Sequence, residues 1–228
     1  MQPLAPTLDR WEKTGLRFEH QGHSIFYRDE GEGPPLLCVH GFPTASWDWQ
    51  RLWPELASVC FLNGGLFPEV HRALLAQRLL LSPLGPLVAR LMNERRFRAT
   101  FPSIFAPATR PSQEDLHAFW TLIAYAHGPR IAHKVIRYMV ERRAQRKRWV
   151  GTLQRTNVPL RLIAGALDPV SGRHMAERYQ ELVPAADVVI LDEVGHYPQL
   201  EAAEAVLDAY LEFRERLGAG GALRSSLA

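Results

Sequence analysis

Residues 159–169 read Pro-Leu-Arg-Leu-Ile-Ala-Gly-Ala-Leu-Asp-Pro, a short apolar strand, a glycine, and a carboxylate followed by proline just beyond the strand end. The same grammar recurs twice. Pro35-Leu36-Leu37-Cys38-Val39 is a continuous apolar run, as expected of a strand buried on both faces of a parallel sheet, and it leads into His40-Gly41-Phe42-Pro43. Asp187-Val188-Val189-Ile190-Leu191 is a third strand, followed by Glu193-Val194-Gly195-His196-Tyr197-Pro198. Helical spacing groups Trp49, Leu52, Trp53 and Leu56, then Met175, Tyr179 and Leu182, then Leu200, Ala203, Val206, Leu207, Tyr210 and Phe213. Strands alternating with helices specify an α/β fold with a mostly parallel sheet and crossover helices. In such a sheet the chemistry gathers beyond the carboxyl ends of the strands.

Working outward, Leu16-Arg17-Phe18-Glu19-His20 and Ser24-Ile25-Phe26-Tyr27-Arg28-Asp29 flank a glycine turn at Gln21-Gly22-His23 and predict an antiparallel N-terminal hairpin. Ser58-Val59-Cys60-Phe61-Leu62 is a further strand, closed by Asn63-Gly64-Gly65. From Pro68 to Val150 the pattern changes to helical segments separated by prolines. One of these starts at Ser112, which forms an S-x-x-D capping box with Asp115, and presents Leu116, Phe119, Trp120 and Ile123 to a core. An insertion of about 80 residues is too long for an ordinary connection and reads as a helical lid. The expected organisation is a discontinuous core over 1–66 and 151–217, a lid over 67–150 and a flexible Gly- and Ser-containing tail over 218–228.

Composition narrows the class of function. The chain has 228 residues, 46% of them hydrophobic, enough for a substantial core. Lys and Arg number 27 against 24 Asp and Glu, and a net charge of +3 makes no field that calls for nucleic acid. No run reaches the roughly 18 apolar residues of a membrane span, and the start lacks the basic-then-apolar build of a secretory leader. The expectation is a cytoplasmic protein without a membrane span, acting on a small molecule. Cys38 and Cys60 both lie in apolar runs and read as small core hydrophobes, and the histidines lack ligand spacing with cysteines or acids, so no metal is expected.

Asp168 and His196, each just past a strand, have the chemistry of the acid and base of a nucleophile-His-acid triad: the carboxylate fixes the imidazole tautomer and stabilises the imidazolium. Either residue alone also has a plain reading, as a turn and helix-cap aspartate or a loop histidine. Together, HGFPTASWDW, LIAGALDPV and VGHYPQLE resemble the α/β-hydrolase superfamily, in its epoxide hydrolase and haloalkane dehalogenase-like branch. FLNGGLFPE, ATRPS, RKRWVG, GALDPV and HYPQLE are similar, more narrowly, to the mesoderm-specific transcript group and its bacterial relatives. The resemblance implies an incomplete α/β-hydrolase sheet with a helical lid and cofactor-independent hydrolysis of a small apolar ester, epoxide or haloalkane. It makes Asp168 the triad acid and His196 the general base, and gives the loop His40-Gly41-Phe42 to an oxyanion hole through the Phe42 amide. In the lid, Trp120 and Trp149 are candidates for substrate contact, with core packing as the alternative.

One part of the pattern is absent. The nucleophile of this family sits in a strained strand-to-helix turn flanked by small residues, and neither G-x-S-x-G nor G-x-D-x-G occurs in the sequence. Residues 47–56 match the first crossover helix and residues 59–62 the strand directly before the lid, so two strand-helix units that normally intervene have no counterpart. At roughly 30 residues or more per unit the gap amounts to about 60–85 residues, with its seam near Ala57-Ser58. The alternatives are a dropped coding segment and a native short connection. For function they are an inactive relative of a hydrolase, a non-catalytic binding module and a deleted, non-functional isoform. Asp168 and His196 both belong to the later half and are expected within hydrogen-bond reach of each other.

Overall fold

The computed structural model describes residues 6–20, 22–29, 60–156 and 159–225, with side chains from residue 8 through residue 217. The strand expected at 35–39, the loop of His40, Gly41 and Phe42, the helix at 47–56 and the seam at Ala57-Ser58 lie outside these residues. After helix α1 (Pro6–Lys13), strands β1 (Leu16–His20) and β2 (His23–Tyr27) form the expected antiparallel hairpin, in register from Leu16 opposite Tyr27 to His20 opposite His23. Gly22 takes φ +76°, a left-handed conformation that a tight turn requires and glycine adopts at no steric cost.

The parallel sheet is built from β3 (Phe61–Leu62), β4 (Arg161–Gly165) and β5 (Asp187–Leu191), in that spatial order, with β4 central. Side chains alternate across a strand, and this sheet is covered on both faces. Leu162 and Ala164, with Val188 and Ile190, pack against Val150 of helix α8 (Arg146–Arg155) and against Met175, Ala176 and Tyr179 of α9 (Arg173–Leu182). Ile163, Val189 and Leu191 pack on the opposite side against Val206 and Ala209 of the last helix, α11 (Ala203–Ser225). Burial on both faces explains why β4 reads as a nearly unbroken apolar run.

The exception in that run is Arg161. Its side chain is 1% exposed, and its Nε donates to Asp187 at 2.9 Å and its Nη1 to Glu212 at 3.1 Å, with a further bond to the Ala209 carbonyl. A buried guanidinium is tolerated only with such partners. They tie the start of β4 to the start of β5 and to α11.

Residues 75–155 are helical, as expected, in seven α-helices and connecting 3₁₀ turns: α2 (Leu75–Leu81), α3 (Gly85–Arg90), α4 (Glu94–Thr100), α5 (Gln113–Ala124), α6 (Ala132–Val135), α7 (Tyr138–Ala144) and α8. The capping box is present: Ser112 Oγ accepts from the Asp115 amide at 3.1 Å, and the Asp115 carboxylate accepts from the Ser112 amide at 3.1 Å. The spacing of Ile131, Val135, Tyr138 and Met139 predicts one helix that runs on through Trp149; the structure has three short helices instead, and Ile131 and Val135 are exposed. After α10 (Pro198–Glu201), α11 continues to Ser225, past the Gly218 where the sequence pattern ends the ordered chain. Each glycine costs an α-helix about 1 kcal/mol relative to alanine, but without a proline the backbone is free to continue.

Candidate active site

β4 ends at Gly165, and the chain turns at once toward the end of β5: the amide of Ala166 donates to Leu191 and that of Leu167 to Val194, both at 2.9 Å. This turn delivers Asp168 beside the loop that follows β5. His196 Nδ1 lies 2.8 Å from Asp168 Oδ2, so the two residues predicted as acid and base are in direct contact. An ionised carboxylate only accepts, so Nδ1 carries the proton and Nε2 of neutral His196 keeps its lone pair. The Asp168 side chain is fully buried, whereas that of His196 is 23% exposed.

Asp168 is held from every side. Oδ1 accepts from the Val170 amide at 2.7 Å, and Oδ2 accepts from the Ser171 amide at 3.0 Å and the Ser171 hydroxyl at 2.7 Å. Burial alone pushes the carboxyl up; the bonds from His196, Val170 and Ser171 outweigh it and hold the group below the usual aspartate value. The carboxylate therefore stays ionised at neutral pH.

Asn63 supplies the part of the frame that sequence reasoning missed. The sequence marks it only as the first residue of the Asn-Gly-Gly that closes a strand, but the structure makes it the fastener of three strand ends. Its side-chain nitrogen lies 3.3 Å from Asp168 Oδ2, 2.9 Å from the Gly195 carbonyl and 3.0 Å from the His196 carbonyl, and its oxygen accepts from the Gly165 amide at 2.8 Å. It is 4% exposed and takes φ +49°, a conformation asparagine tolerates better than most residues. The Asn-Gly-Gly end of β3 was the available signal.

Glu201 does the corresponding work on the histidine side. One carboxylate oxygen accepts from the amides of Ala106 and Gly195 and from the Thr109 hydroxyl, and the other accepts from the Tyr197 amide. The His196 amide in turn donates to the Ile104 carbonyl at 2.9 Å. Gly195 is required by this close approach: a Cβ there would lie 2.6 Å from the Ala106 nitrogen and 2.7 Å from the Ile104 oxygen, both backbone atoms. The helical region thus docks directly onto the histidine loop.

The two candidate tryptophans part company. Trp120 is buried beside Phe97, in the apolar cluster of Phe101, Phe105 and Phe119 that also contains Val170 and Tyr197. Trp149 is 41% exposed on α8, and none of the contacts of the Asp168–His196 pair reaches it. Cys60 offers no substitute nucleophile, because burial pushes its thiol up to about 12. Among the described residues no group of three or more His, Cys, Asp or Glu converges as metal ligands would, and no helix is long and apolar enough to cross a membrane.

Carboxylate and imidazole at neighbouring carboxyl ends of a parallel sheet, with helices on both faces, define a hydrolase-type α/β fold, and comparison with known proteins places the chain. It belongs to the α/β-hydrolase superfamily. No family model matches it. It is 38% identical over 281 aligned positions to LipZ of Mycobacterium tuberculosis, a protein named as a hydrolase, covering 91% of this chain and 98% of LipZ. It is 28% identical over 296 positions to the mouse mesoderm-specific transcript protein, covering 92% and 88% of the two chains. Among solved structures, a haloalkane dehalogenase DatA variant from Agrobacterium tumefaciens C58 matches with a TM-score of 0.66 at 18% identity, over 87% of this chain and 96% of that one. The epoxide hydrolase CorEH matches with a TM-score of 0.64 at 13% identity, over 90% and 99%. The sheet of the described residues is an incomplete version of this fold.

Proposed function

We propose that the chain is built on a cofactor-independent hydrolase of a small, largely apolar ester, epoxide or haloalkane, and that it keeps the acid-histidine half of the catalytic machinery without the nucleophile. The observation that carries this reading is the Asp168–His196 contact of 2.8 Å inside a fully satisfied polar frame. In the complete reaction a nucleophile forms a covalent intermediate, the Phe42 amide helps hold the oxyanion, and His196, oriented by Asp168, activates the water that releases the product. Residues 67–150 act as the lid, in keeping with the contacts that Ile104, Ala106 and Thr109 make to the histidine loop and its Glu201 clamp.

The sequence contains neither elbow pattern, and the alignment lengths agree with a deletion. With 91% of 228 residues in the LipZ alignment, about 207 of its 281 positions are filled and about 74 positions of LipZ have no counterpart here. The mouse relative, at 92% and 296 positions, leaves about 86. Both numbers are close to two strand-helix units.

The test compares the 228-residue chain with one in which the segment is restored at Ala57-Ser58, on p-nitrophenyl esters, epoxides and haloalkanes, with His196→Ala in both. Turnover is expected only in the restored chain, and only with His196 present. Turnover by the short chain that His196→Ala abolishes would refute the missing nucleophile. Saturable ligand binding and a cooperative melt without turnover in either chain would establish a binding module instead.

A further inference from the structure

Two groups beside the pair have no task in the proposed chemistry. His71 lies in the loop between Phe67 and α2, and both of its ring nitrogens are buried without a hydrogen-bond partner among the described residues. Arg142, on α7, reaches back to the end of β3. A Cβ on Gly65 would lie 2.3 Å from Nη1 and 2.5 Å from Nη2, so the guanidinium rests on a backbone surface left open by that glycine. Its other side faces Tyr138, with Cζ 5.3 Å from the ring centroid. Arg142 Nε is buried without a partner, and among the described residues no carboxylate pairs with this guanidinium. Elsewhere in the fold, Arg161, Arg146 and Arg173 each have a carboxylate.

Gly65 is two residues beyond Asn63, whose amide bonds Asp168, so the guanidinium is at the same strand end as the acid-histidine pair. The charged and titratable groups that act on His71 are Arg142, Arg143, Asp168 and His196. A half-buried cation and two unfilled imidazole positions at this strand end are costly in isolation and become favourable when an anion arrives.

We infer that Arg142 and His71 form a receptor for a carboxylate carried by the substrate, which makes the ligand class a half-ester or comparable monoanion with one neutral reactive group. This deepens the proposed function and rests on it for the word substrate; the receptor itself does not depend on turnover. A monoanion fits because burial, with Arg142 next in effect, lowers His71 to about 4 and leaves it uncharged at neutral pH. Arg142 then supplies the fixed charge, and a guanidinium matches a planar carboxylate. A bound carboxylate would favour protonated His71 and raise its pKa.

The experiment titrates the 228-residue chain with monomethyl succinate and with dimethyl succinate, by calorimetry and by NMR of the histidine rings. The half-ester is expected to bind at least about tenfold more tightly than the diester, the size of one charge-assisted contact. The His71 ring pKa should rise on saturation with the half-ester only. Arg142→Gln should remove the preference and Arg142→Lys restore part of it, with a thermal melt of each variant confirming the fold. Equal affinity for the two probes, or a preference that survives Arg142→Gln in a folded chain, would overturn the inference. If the half-ester is preferred but the restored chain turns nothing over, the hydrolase reading fails alone; if the restored chain turns over esters and the preference is absent, the receptor fails alone.

Discussion

The side-chain nitrogen of Asn63 lies 3.3 Å from the carboxylate of Asp168, and the same amide also bonds the Gly195 and His196 carbonyls and the Gly165 amide. A single neutral side chain just past β3 therefore sets the spacing between the acid turn and the histidine loop. Asn63→Ala should cost on the order of 3 kcal/mol, because buried groups left unpaired cost about 1–3 kcal/mol each. Urea denaturation measures the loss. Asn63→Gly, which suits φ +49°, should lose nearly as much; full stability in that variant would show that backbone strain, not the hydrogen bonds, governs the position.

Glu201 makes a regional prediction. Glu201→Gln keeps the shape but turns an NH₂ group toward donors, so it should destabilise by about 2 kcal/mol, the scale of hydrogen bonds to a charged group. Hydrogen exchange should accelerate at the amides of Ala106, Gly195 and Tyr197, which donate to this carboxylate. Protection at Leu162 in the central strand should be unchanged, and equal acceleration there would mean that Glu201 supports the whole domain rather than the docking of the helical region.

Acid should weaken the fold in two successive windows. His71 is lowered from 6.5 to about 4, chiefly by burial, so between those values the unfolded chain takes up a proton that the folded chain refuses, and stability falls with pH. Asp168 is held below its usual 3.8, so its contribution is present above that value and is lost as pH falls through the lower folded one. His71→Leu removes no hydrogen bond among the described residues. It should melt no lower than the parent at pH 7 and flatten the decline between pH 6.5 and about 4, as thermal melts across that range would record.

Cys60 provides a probe of folding. With its thiol raised to about 12 by burial, it should resist iodoacetamide at pH 7.5 in the native chain and react readily in urea. Peptide mass spectrometry distinguishes it from Cys38. Rapid native labelling of Cys60 would show that the start of β3 opens on the timescale of the reaction.

The sequence exposes features that are local in the chain. β5 coincides with the strand expected at Asp187–Leu191, the Ser112 capping box forms three residues apart, and Asp168 and His196 stand out because each follows a strand with a turn signal. Asn63 and Glu201 were hidden by distance. Their partners include Gly195, 132 residues from Asn63, and Ala106, 95 residues from Glu201, and no periodicity encodes such pairings. The three short helices over 132–155 share one continuous apolar rhythm, so their breaks do not appear in the pattern. Trp120 illustrates the same ambiguity: an aromatic residue at helical spacing reads equally as core or contact, and packing against Phe97 decides where its ring goes.

Arg161 joins β4 to β5 and α11 at the amino end of the same five-residue strand whose carboxyl end Asn63 secures, roughly 13 Å away at strand rise. The sheet is thus clasped by ions at one end and by a neutral amide at the other. The Arg161 guanidinium is thereby held at the opposite end of the strand from the Asp168–His196 pair. Substitutions that strengthen or weaken the ionic clasp can therefore shift thermal tolerance while leaving the Asp168–His196 contact in place.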